Sequence, residues 1–326
     1  MTEPPGLPPV PGVTLRRRPE VRLTRLGFGG APVGDLYEPM SDADAAATVD
    51  AAWGVGIRYL DTAPHYGAGT SERRIGAAMA ARPRPEWVIS TKVGRILVAD
   101  GGPGVRRVFD YTRDGVLRSL EESLVRLGLD RVDIVFVHDP DDHWETASRE
   151  AVPALCRLRD EGVVGAVGVG MNQSAMLTRF VEQTDVDLVM CAGRYSLLQQ
   201  PALEDLLPAA ERHGVDVVAA GVFNSGLLAQ PDVPDGARYD YVAAPEDVLD
   251  RARSIAAVCR EHGSTLPAAA LHFVLGHPAV TSAVLGMGSP AEALDDAALL
   301  EHSPPPELWA DLVARGLLPA TAPVAR

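Results

Sequence analysis

The chain has 326 residues, of which 46% are hydrophobic and 23% charged, so it can bury a full core. Its formal net charge of −14 disfavours nonspecific binding to nucleic acid or to an anionic membrane surface, because both are polyanions. Three cysteines without a CxxC motif argue against a disulfide framework or a structural zinc, and no apolar run reaches the ~20 residues that span a bilayer. We therefore expect a cytoplasmic protein, a monomer or homodimer, with a small molecule as its partner.

The chain divides into a tail and one long patterned region. Residues 1–20 are rich in proline and lack the apolar core of a signal peptide, which predicts a disordered or surface-clinging tail. Residues 21–326 are predicted to form a single domain.

From residue 21 to about 300, short β-branched apolar runs alternate with amphipathic stretches. The apolar runs predict eight strands: Arg22–Gly29, Ile57–Asp61, Trp87–Lys92, Val132–Val137, Val163–Val169, Val186–Cys191, Val215–Ala220 and Thr281–Leu285. The stretches between and after them predict helices over Ser41–Trp53, Ser71–Ala81, Thr112–Leu127, Thr146–Asp160, Ser174–Thr184, Pro201–His213, Glu246–His262, Pro267–Leu275 and Ser289–Leu300. Successive strand–helix units predict a parallel sheet with right-handed crossovers.

The fold class expected from this order is α/β, as a single (β/α)₈ TIM barrel with a short N-terminal extension and a C-terminal helix. The alternative is an open doubly wound sheet, but the first strand is not followed by a GxGxxG motif that opens a helix. Two longer loops, Gly94–Tyr111 and Asn224–Pro245, follow strand ends, where barrels carry their chemistry. They are predicted to shape the substrate pocket, and tolerated insertions are the alternative.

Polar residues stand where neighbouring predicted strands end. Asp61 ends the second strand, Lys92 ends the third, His138 follows the fourth, and Tyr66 lies in the loop after Asp61. Each residue alone has a structural explanation, as a cap, a core-edge ring or a surface charge. Together they predict a site, because adjacent strand tips of a closed barrel converge on one mouth.

These four side chains suit proton transfer coupled to hydride transfer. A free tyrosine has a pKa near ~10, and a nearby ammonium would lower the pKa of Tyr66. Asp61 would hold the Lys92 ammonium, and His138 would hydrogen-bond the reacting oxygen. No metal is predicted, since the set lacks the paired carboxylates or cysteines of common metal sites. A barrel isomerase or lyase with Lys92 as a Schiff base remains an alternative.

Three motifs carry a resemblance to a known family. GIRYLDTAPHYG with Glu72 downstream, STKVG and VDIVFVHD closely resemble the aldo-keto reductase superfamily, over roughly Arg22 to Leu300. The resemblance implies the barrel fold and matches Asp61, Tyr66, Lys92 and His138 to the catalytic tetrad of that family. Tyr66 would then be the general acid for reduction and the general base for oxidation.

Further stretches resemble the branch of sugar dehydrogenases that act on D-threo-aldoses (L-fucose) and L-galactose, a branch that includes a pyridoxal dehydrogenase. They are VFDYTRDGVLRSLEESLVRLGLDRVDIV, GAVGVGMN, CAGRYSLL, GVFNSGLL and VLGMGSP. The resemblance therefore implies an NAD(P)-dependent enzyme, and oxidation of an aldose to its lactone is the expected reaction. Reduction of other small aldehydes or ketones, a pyridoxal-type dehydrogenase and a non-catalytic cofactor-sensing subunit are the alternatives.

The resemblance also implies a cofactor site. Asn172 would bind the nicotinamide carboxamide and Tyr195 would stack on its ring, and the other expected residues are Gly30, Asn224, Ser225 and Gly226 (the last three at the pyrophosphate), with Gly286, Gly288, Ser289 and Asp296. Relatives that use NADP carry a basic pair where this chain has Gly286 and Glu292. A carboxylate repels the 2′-phosphate, so NAD is expected over NADP.

The predicted substrate pocket consists of side chains near the mouth: Asp35, Tyr37, His65, Arg95, Phe109, Tyr111 and Asp139. Their polar groups would suit a sugar. An apolar pocket lined by Leu36, Trp53 and Phe109 would instead suit an aromatic or aliphatic aldehyde.

Overall fold

The apolar runs of the sequence form the wall of a barrel. The computed structural model describes residues 7–36, 38–100, 105–240 and 242–323. Within these ranges the strands are β1 Gly12–Thr14, β2 Arg22–Thr24, β3 Leu26–Gly29, β4 Tyr59–Asp61, β5 Val88–Val93, β6 Arg95–Ala99, β7 Val105–Phe109, β8 Val132–His138, β9 Val164–Met171, β10 Leu188–Ala192, β11 Asp216–Ala220, β12 Arg238–Tyr239, β13 Val242–Ala243 and β14 Val280–Gly286. The helices are α1 Asp42–Gly54, α2 Thr70–Met79, α3 Arg113–Leu127, α4 Trp144–Thr146, α5 Val152–Asp160, α6 Ser174–Gln183, α7 Leu206–His213, α8 Glu246–Glu261, α9 Leu266–Leu275, α10 Pro290–Leu299 and α11 Pro306–Ala314.

Eight of these strands close on themselves. The order around the barrel is β3, β4, β5, β8, β9, β10, β11 and β14, and β14 pairs with β3. Neighbouring strands are parallel throughout, with helices between them. The predicted (β/α)₈ barrel with a C-terminal helix is therefore confirmed, and the open sheet is excluded. Among the described residues, no helix has both the length and the apolar character needed to cross a membrane.

Side-chain caps fix the starts of several helices. The Ser41 hydroxyl accepts a hydrogen bond from the Asp44 backbone N–H at 3.1 Å, and Thr112 accepts one from Gly115 at 3.1 Å. Ser289 likewise accepts one from the Glu292 N–H at 3.2 Å. These caps satisfy backbone donors that have no partner inside the helix, so the helices begin where the sequence predicts.

The predicted first strand, Arg22–Gly29, is divided in the structure. Residues 22–24 form β2, which pairs with β1 in an antiparallel hairpin, and only β3 joins the barrel. Arg25 separates β2 from β3 in the sequence, and its guanidinium donates to the carbonyl oxygens of Leu275 and Val280. The predicted tail boundary after residue 20 falls inside this hairpin, because residues 12–14 pair with residues 22–24.

The long loop after β5 has secondary structure of its own. Its residues form the antiparallel hairpin β6–β7, in which Arg95 lies opposite Phe109. The loop after β11 contains the short pair β12–β13. The structure also divides the predicted helix Pro201–His213. A 3₁₀ turn covers Pro201–Leu203, and α7 follows it.

Candidate active site

The ends of three adjacent strands bring the predicted proton-transfer residues together. Asp61 ends β4, Lys92 lies in β5 and His138 ends β8. Asp61 is in register with Ser90, and Lys92 is in register with Phe136, so the three tips meet at the same rim. Asp61, Lys92 and His138 are 3%, 2% and 8% exposed, so their mutual interactions are sheltered from water.

The Lys92 ammonium is fully engaged. Its Nζ donates to Asp61 Oδ2 at 2.6 Å, to the Thr62 carbonyl oxygen at 3.0 Å, and to the Tyr66 phenol. Burial acts to lower the pKa of Lys92, but the neighbouring Asp61 and Tyr66 outweigh it and raise that pKa. Lys92 is therefore a cation, which argues against a Schiff-base role, since that chemistry needs a neutral amine.

A tight turn sets the position of Tyr66. The next three residues, Gly67, Ala68 and Gly69, all have left-handed φ angles, of 60°, 53° and 84°. A Cβ atom on Gly67 would overlap the backbone carbonyl of Gly34, so this position requires glycine. The turn leads from Tyr66 directly into α2, which begins at Thr70.

Glu72, the acid downstream of the tyrosine motif, is a structural anchor. It is fully buried and accepts hydrogen bonds from Thr91 Oγ1 at 2.7 Å and from Arg126 Nε at 2.5 Å. Thr91 precedes Lys92 in β5, so this network ties α2 and α3 to the strand that carries the lysine.

His138 is a buried, neutral imidazole. Burial, followed by the charges of Lys92 and Arg95, lowers the pKa of His138 well below its ordinary value. Its ring meets those of Tyr66 and His65 edge-on, with centroids 6.2 Å and 5.9 Å apart. The Nδ1 atom has no hydrogen-bond partner among the described residues. A neutral imidazole can donate one hydrogen bond to a substrate oxygen while it orients that oxygen.

The β6–β7 hairpin brings further predicted pocket residues to the mouth. Arg95 forms an ion pair with Asp139 at 2.7 Å and lies 5.2 Å from the Phe109 ring centroid. The Tyr111 hydroxyl donates to the carbonyl oxygens of His138 and Asp139, both at 2.7 Å. Burial, followed by the charge of Arg95, lowers the pKa of His65 to about 4. The rim therefore presents a neutral histidine beside an ion pair.

Other residues predicted for the pocket lie elsewhere. The Asp35 carboxylate accepts from the Met40 N–H and from Arg74, so it holds its own loop together. Trp53 lies in the last turn of α1, with the Arg58 guanidinium 3.6 Å from its ring centroid, at the opposite end of β4 from the site. The apolar-pocket expectation for Trp53 is therefore wrong. Tyr37 lies outside the described residues.

The segment expected at a pyrophosphate has unusual geometry. Asn224, Ser225 and Gly226 have consecutive left-handed φ angles of 47°, 60° and 91°. Asn224 is 4% exposed, yet its side-chain Nδ2 and Oδ1 have no partner among the described residues. A buried amide without a partner is unfavourable by about 1–3 kcal/mol, so this group is suited to receive a polar ligand.

The turn from β14 to α10 holds the next expected group. Gly286 ends β14, and Ser289 caps α10. The Gly288 N–H donates to Glu292 Oε2 at 2.8 Å. Asp296, in the middle of α10, is half-buried.

Three further residues expected at the cofactor are Tyr195, Asn172 and Gly30, and each lies in a different environment. Tyr195 is fully buried, and its ring packs against Phe273 and His277 at centroid distances of 5.1 Å and 5.6 Å. This core packing does not support the expected stacking on a nicotinamide ring. Asn172 is exposed just after β9, and Gly30 is buried, with its N–H donating to the Asp61 carbonyl oxygen at 2.8 Å.

Comparison with known proteins places this chain in a family. The sequence pattern of the aldo/keto reductase family matches residues 25–314. The chain belongs to the aldo/keto reductase family. It is 45% identical to a D-threo-aldose 1-dehydrogenase of Pseudomonas sp over 91% of this chain and 95% of that protein. It is 37% identical to a pyridoxal 4-dehydrogenase of Microbacterium luteolum over 92% and 96% of the two chains.

Solved structures show the same fold. A Bacillus halodurans aldo-keto reductase superposes with a TM-score of 0.79 at 24% identity, over 97% of this chain and 98% of that one. Membership of the family confirms the expectation of an oxidoreductase and implies a nicotinamide cofactor. The chain fits such a cofactor, since the buried Asn224 amide, which has no partner among the described residues, offers both a donor and an acceptor for it.

Two polar residues beneath the site in this aldo/keto reductase were not singled out from the sequence. Ser90 Oγ donates to Asp61 Oδ1 at 2.6 Å, and the Tyr59 hydroxyl lies 3.1 Å from Ser90 Oγ. Their sequence signal is a spacing of two. Tyr59 precedes Asp61 by two positions and Ser90 precedes Lys92 by two, which places each pair on one face of its strand.

Proposed function

We propose that this aldo/keto reductase oxidises the anomeric carbon of an aldose to its lactone, with NAD as the preferred cofactor. The observation that carries the proposal is the buried Lys92 ammonium, hydrogen-bonded to both Asp61 and Tyr66 beside a neutral His138. The similarity to a D-threo-aldose 1-dehydrogenase supports the choice of substrate class. Reduction of a carbonyl is the same reaction in reverse.

Tyr66 acts as the general base in this mechanism. The Lys92 ammonium stabilises the tyrosinate, so the phenol oxygen can take the proton of the substrate hydroxyl. Asp61 holds Lys92 in place through their 2.6 Å ion pair. His138 donates a hydrogen bond to the substrate oxygen and fixes its orientation. A nicotinamide cofactor, when bound, supplies the two-electron acceptor.

Unpartnered polar atoms at the mouth support a hydroxyl-rich substrate. Arg95 Nε and His65 Nδ1 are buried and have no hydrogen-bond partner among the described residues. The Asp139 carboxylate beside them is half-buried and paired with Arg95. Sugar hydroxyls both donate and accept, so they can satisfy these groups in a way that a plain aldehyde cannot.

The preference for NAD rests on Glu292. Its carboxylate accepts the Gly288 N–H at 2.8 Å, at the N-terminal end of α10. Backbone donors at a helix N-terminus commonly bind phosphate. Here a carboxylate already takes one of them, and its charge repels a 2′-phosphate.

The catalytic assignment is tested with Tyr66→Phe. This variant keeps the ring but loses the proton-carrying hydroxyl, so turnover should fall by at least about a hundredfold. Cofactor binding, followed by nicotinamide fluorescence, should stay within about twofold, since the phenol hydroxyl is assigned to the proton and not to the cofactor. Ser254→Ala on α8 is the control: it removes an exposed hydroxyl that donates only to the Asp250 carbonyl oxygen, and it should keep wild-type turnover. Unchanged turnover in Tyr66→Phe would refute the assignment.

Pyridoxal-type substrates are a second candidate, because the mouth also carries aromatic rings. Phe109 stacks on Tyr111 at 6.1 Å, and His143 lies 5.0 Å from Tyr111. A kcat/KM panel of aldoses, pyridoxal and simple aldehydes, each with NAD and NADP, separates the candidates. Higher kcat/KM for pyridoxal than for every aldose would overturn the sugar assignment while leaving the oxidoreductase intact.

A further inference from the structure

A short chain of buried hydroxyl groups ends on the carboxylate of the candidate site. Ser90 Oγ donates to Asp61 Oδ1 at 2.6 Å, and Tyr59 OH lies 3.1 Å from Ser90 Oγ. Both hydroxyl-bearing residues are completely buried. Neither is among the four residues to which the proposed mechanism assigns proton transfer.

The direction of each hydrogen bond follows from its acceptor. Asp61 is paired with the Lys92 ammonium, and a carboxylate only accepts. The Ser90 hydrogen is therefore committed to Asp61, so the remaining bond must be donated by Tyr59. Burial, followed by the charge of Asp61, raises the pKa of Tyr59 well above its ordinary value, so Tyr59 keeps its proton. Both O–H dipoles point toward the carboxylate.

The strand register builds this arrangement. Asp61 of β4 is in register with Ser90 of β5, and Tyr59 is in register with Val88. Tyr59 and Asp61, two residues apart, share a face of β4, while Ser90 and Lys92 share a face of β5. The Asp61 carboxylate therefore receives Ser90 on Oδ1 and Lys92 on Oδ2.

We propose that Ser90, supported by Tyr59, is a positioning residue for proton transfer, because it orients the Asp61 carboxylate and offsets part of its negative charge. This inference rests on the proposed function of Tyr66 and Lys92. With the hydroxyl in place, Lys92 remains available to stabilise the tyrosinate. Without it, the uncompensated carboxylate repels the tyrosinate more strongly, and proton transfer requires a higher pH.

The other charged and titratable side chains around Tyr66 are the same in the wild type and in the Ser90 and Tyr59 variants. They come from the loop after β4, from β5, from β6 and from the end of β8, and they are His65, Lys92, Arg95, His138 and Asp139.

Ser90→Ala is the central experiment, with the pH profile of kcat/KM for aldose oxidation as the readout. We expect its midpoint to move upward by about one pH unit and kcat/KM near pH 7 to fall about tenfold, since one unit is tenfold in protonation. Ser90→Thr restores the hydroxyl and should restore the midpoint. A merely structural role would lower thermal stability without moving the profile.

Tyr59→Phe tests whether the chain acts as a unit. It should move the midpoint in the same direction by a smaller amount. The double variant Tyr59→Phe with Ser90→Ala should match Ser90→Ala alone, because Tyr59 acts only through Ser90. Additive shifts would overturn the proposed chain. Should Ser90→Ala fail to fold, an unshifted midpoint in Tyr59→Phe overturns the proposal by itself.

Ser282→Ala is the matched control. Ser282 of β14 is another fully buried barrel serine, and its Oγ donates to the Thr24 carbonyl oxygen at 2.8 Å. Its loss should lower the melting temperature without moving the midpoint, and an equal shift there would overturn the proposal. An unshifted Ser90→Ala alongside an inactive Tyr66→Phe refutes only the positioning role, whereas a fully active Tyr66→Phe refutes both proposals.

Discussion

Asp296 on α10 illustrates how burial acts on a single carboxyl group. Burial, followed by the charges of Glu292 and Asp295, raises the pKa of Asp296 to about 7. An unfolded chain has an Asp pKa of ~3.9. As pH rises from about 4 to about 7, the unfolded state releases this proton while the folded state still holds it. The folded state therefore loses stability through that window, and the loss is complete above pH 7.

Replacing Asp296 with Asn should remove this loss. We expect the melting temperature of Asp296→Asn to exceed that of the wild type by about 2 °C at pH 8, with no difference at pH 4. Calorimetric scans at both pH values measure this difference in melting temperature. The exposed Glu161→Gln serves as a control and should show no pH-dependent difference. An equal gain at both pH values would contradict the assigned cause.

Individual residues also show where sequence reasoning fails. Tyr195 and Asp35 follow strand ends, as the predicted catalytic residues do, yet one packs in the core and the other holds a loop. Position along the chain gives the end of the barrel at which a residue lies. The direction of its side chain depends on neighbours that are distant in sequence, such as Phe273 and Arg74.

Helix α10 links a capping motif to cofactor choice. Ser289 accepts from the Glu292 N–H, and Glu292 accepts from the Gly288 N–H, so the helix start is satisfied by its own side chains. A phosphate at this position has to compete with the Glu292 carboxylate. The proposed preference for NAD therefore depends on the hydrogen bonds that cap α10.

Glu292→Arg should reverse the proposed preference for NAD. We expect the ratio of kcat/KM with NADP to that with NAD to rise by about tenfold or more, because repulsion is replaced by an ion pair. Glu292→Gln is the intermediate control, since it can keep the hydrogen bond to Gly288 without the charge. A ratio unchanged in both variants would contradict the role assigned to Glu292.

The β6–β7 hairpin was predicted only as a loop. The burial pattern of β7 is exposed at four of five positions, so it lacks the apolar alternation by which a strand is recognised in a sequence. Its pairing with β6 is a tertiary feature that brings Arg95 to Asp139.

At the scale of the whole molecule, the N-terminal hairpin closes the barrel end opposite the site. Leu15, Val21 and Leu23 are buried in the same interior cluster as Tyr59. Nearby, the Asp187 carboxylate, 1% exposed, accepts from Arg18 at 2.9 Å and from Arg159 at 3.1 Å. These ion pairs join the N-terminal segment to β10 and α5.

Asp187→Asn should destabilise the whole fold while leaving the active site in place. It weakens the hydrogen bonds from Arg18 and Arg159, although Arg159 keeps its 2.6 Å ion pair with Asp185. The free energy of unfolding should therefore fall by about 2 kcal/mol, measured by urea denaturation. The exposed ion pair of Arg149 and Glu145 provides the control. Glu145→Gln should change the free energy of unfolding by less than about 1 kcal/mol. A loss of kcat without a loss of stability would contradict this structural role.

The sequence by itself determined the order of strands and helices, the closed barrel, and the rim to which Asp61, Lys92 and His138 belong. Apolar periodicity identifies each strand, and the alternation of strands with helices makes neighbouring strands parallel. The carboxyl ends of parallel strands lie on one side of the barrel. Only the tertiary structure decided that Ser90 and Tyr59 face Asp61, that Arg95 reaches Asp139, and that Tyr195 turns into the core. Those contacts depend on register and loop conformation, which bring together side chains that are far apart in the sequence.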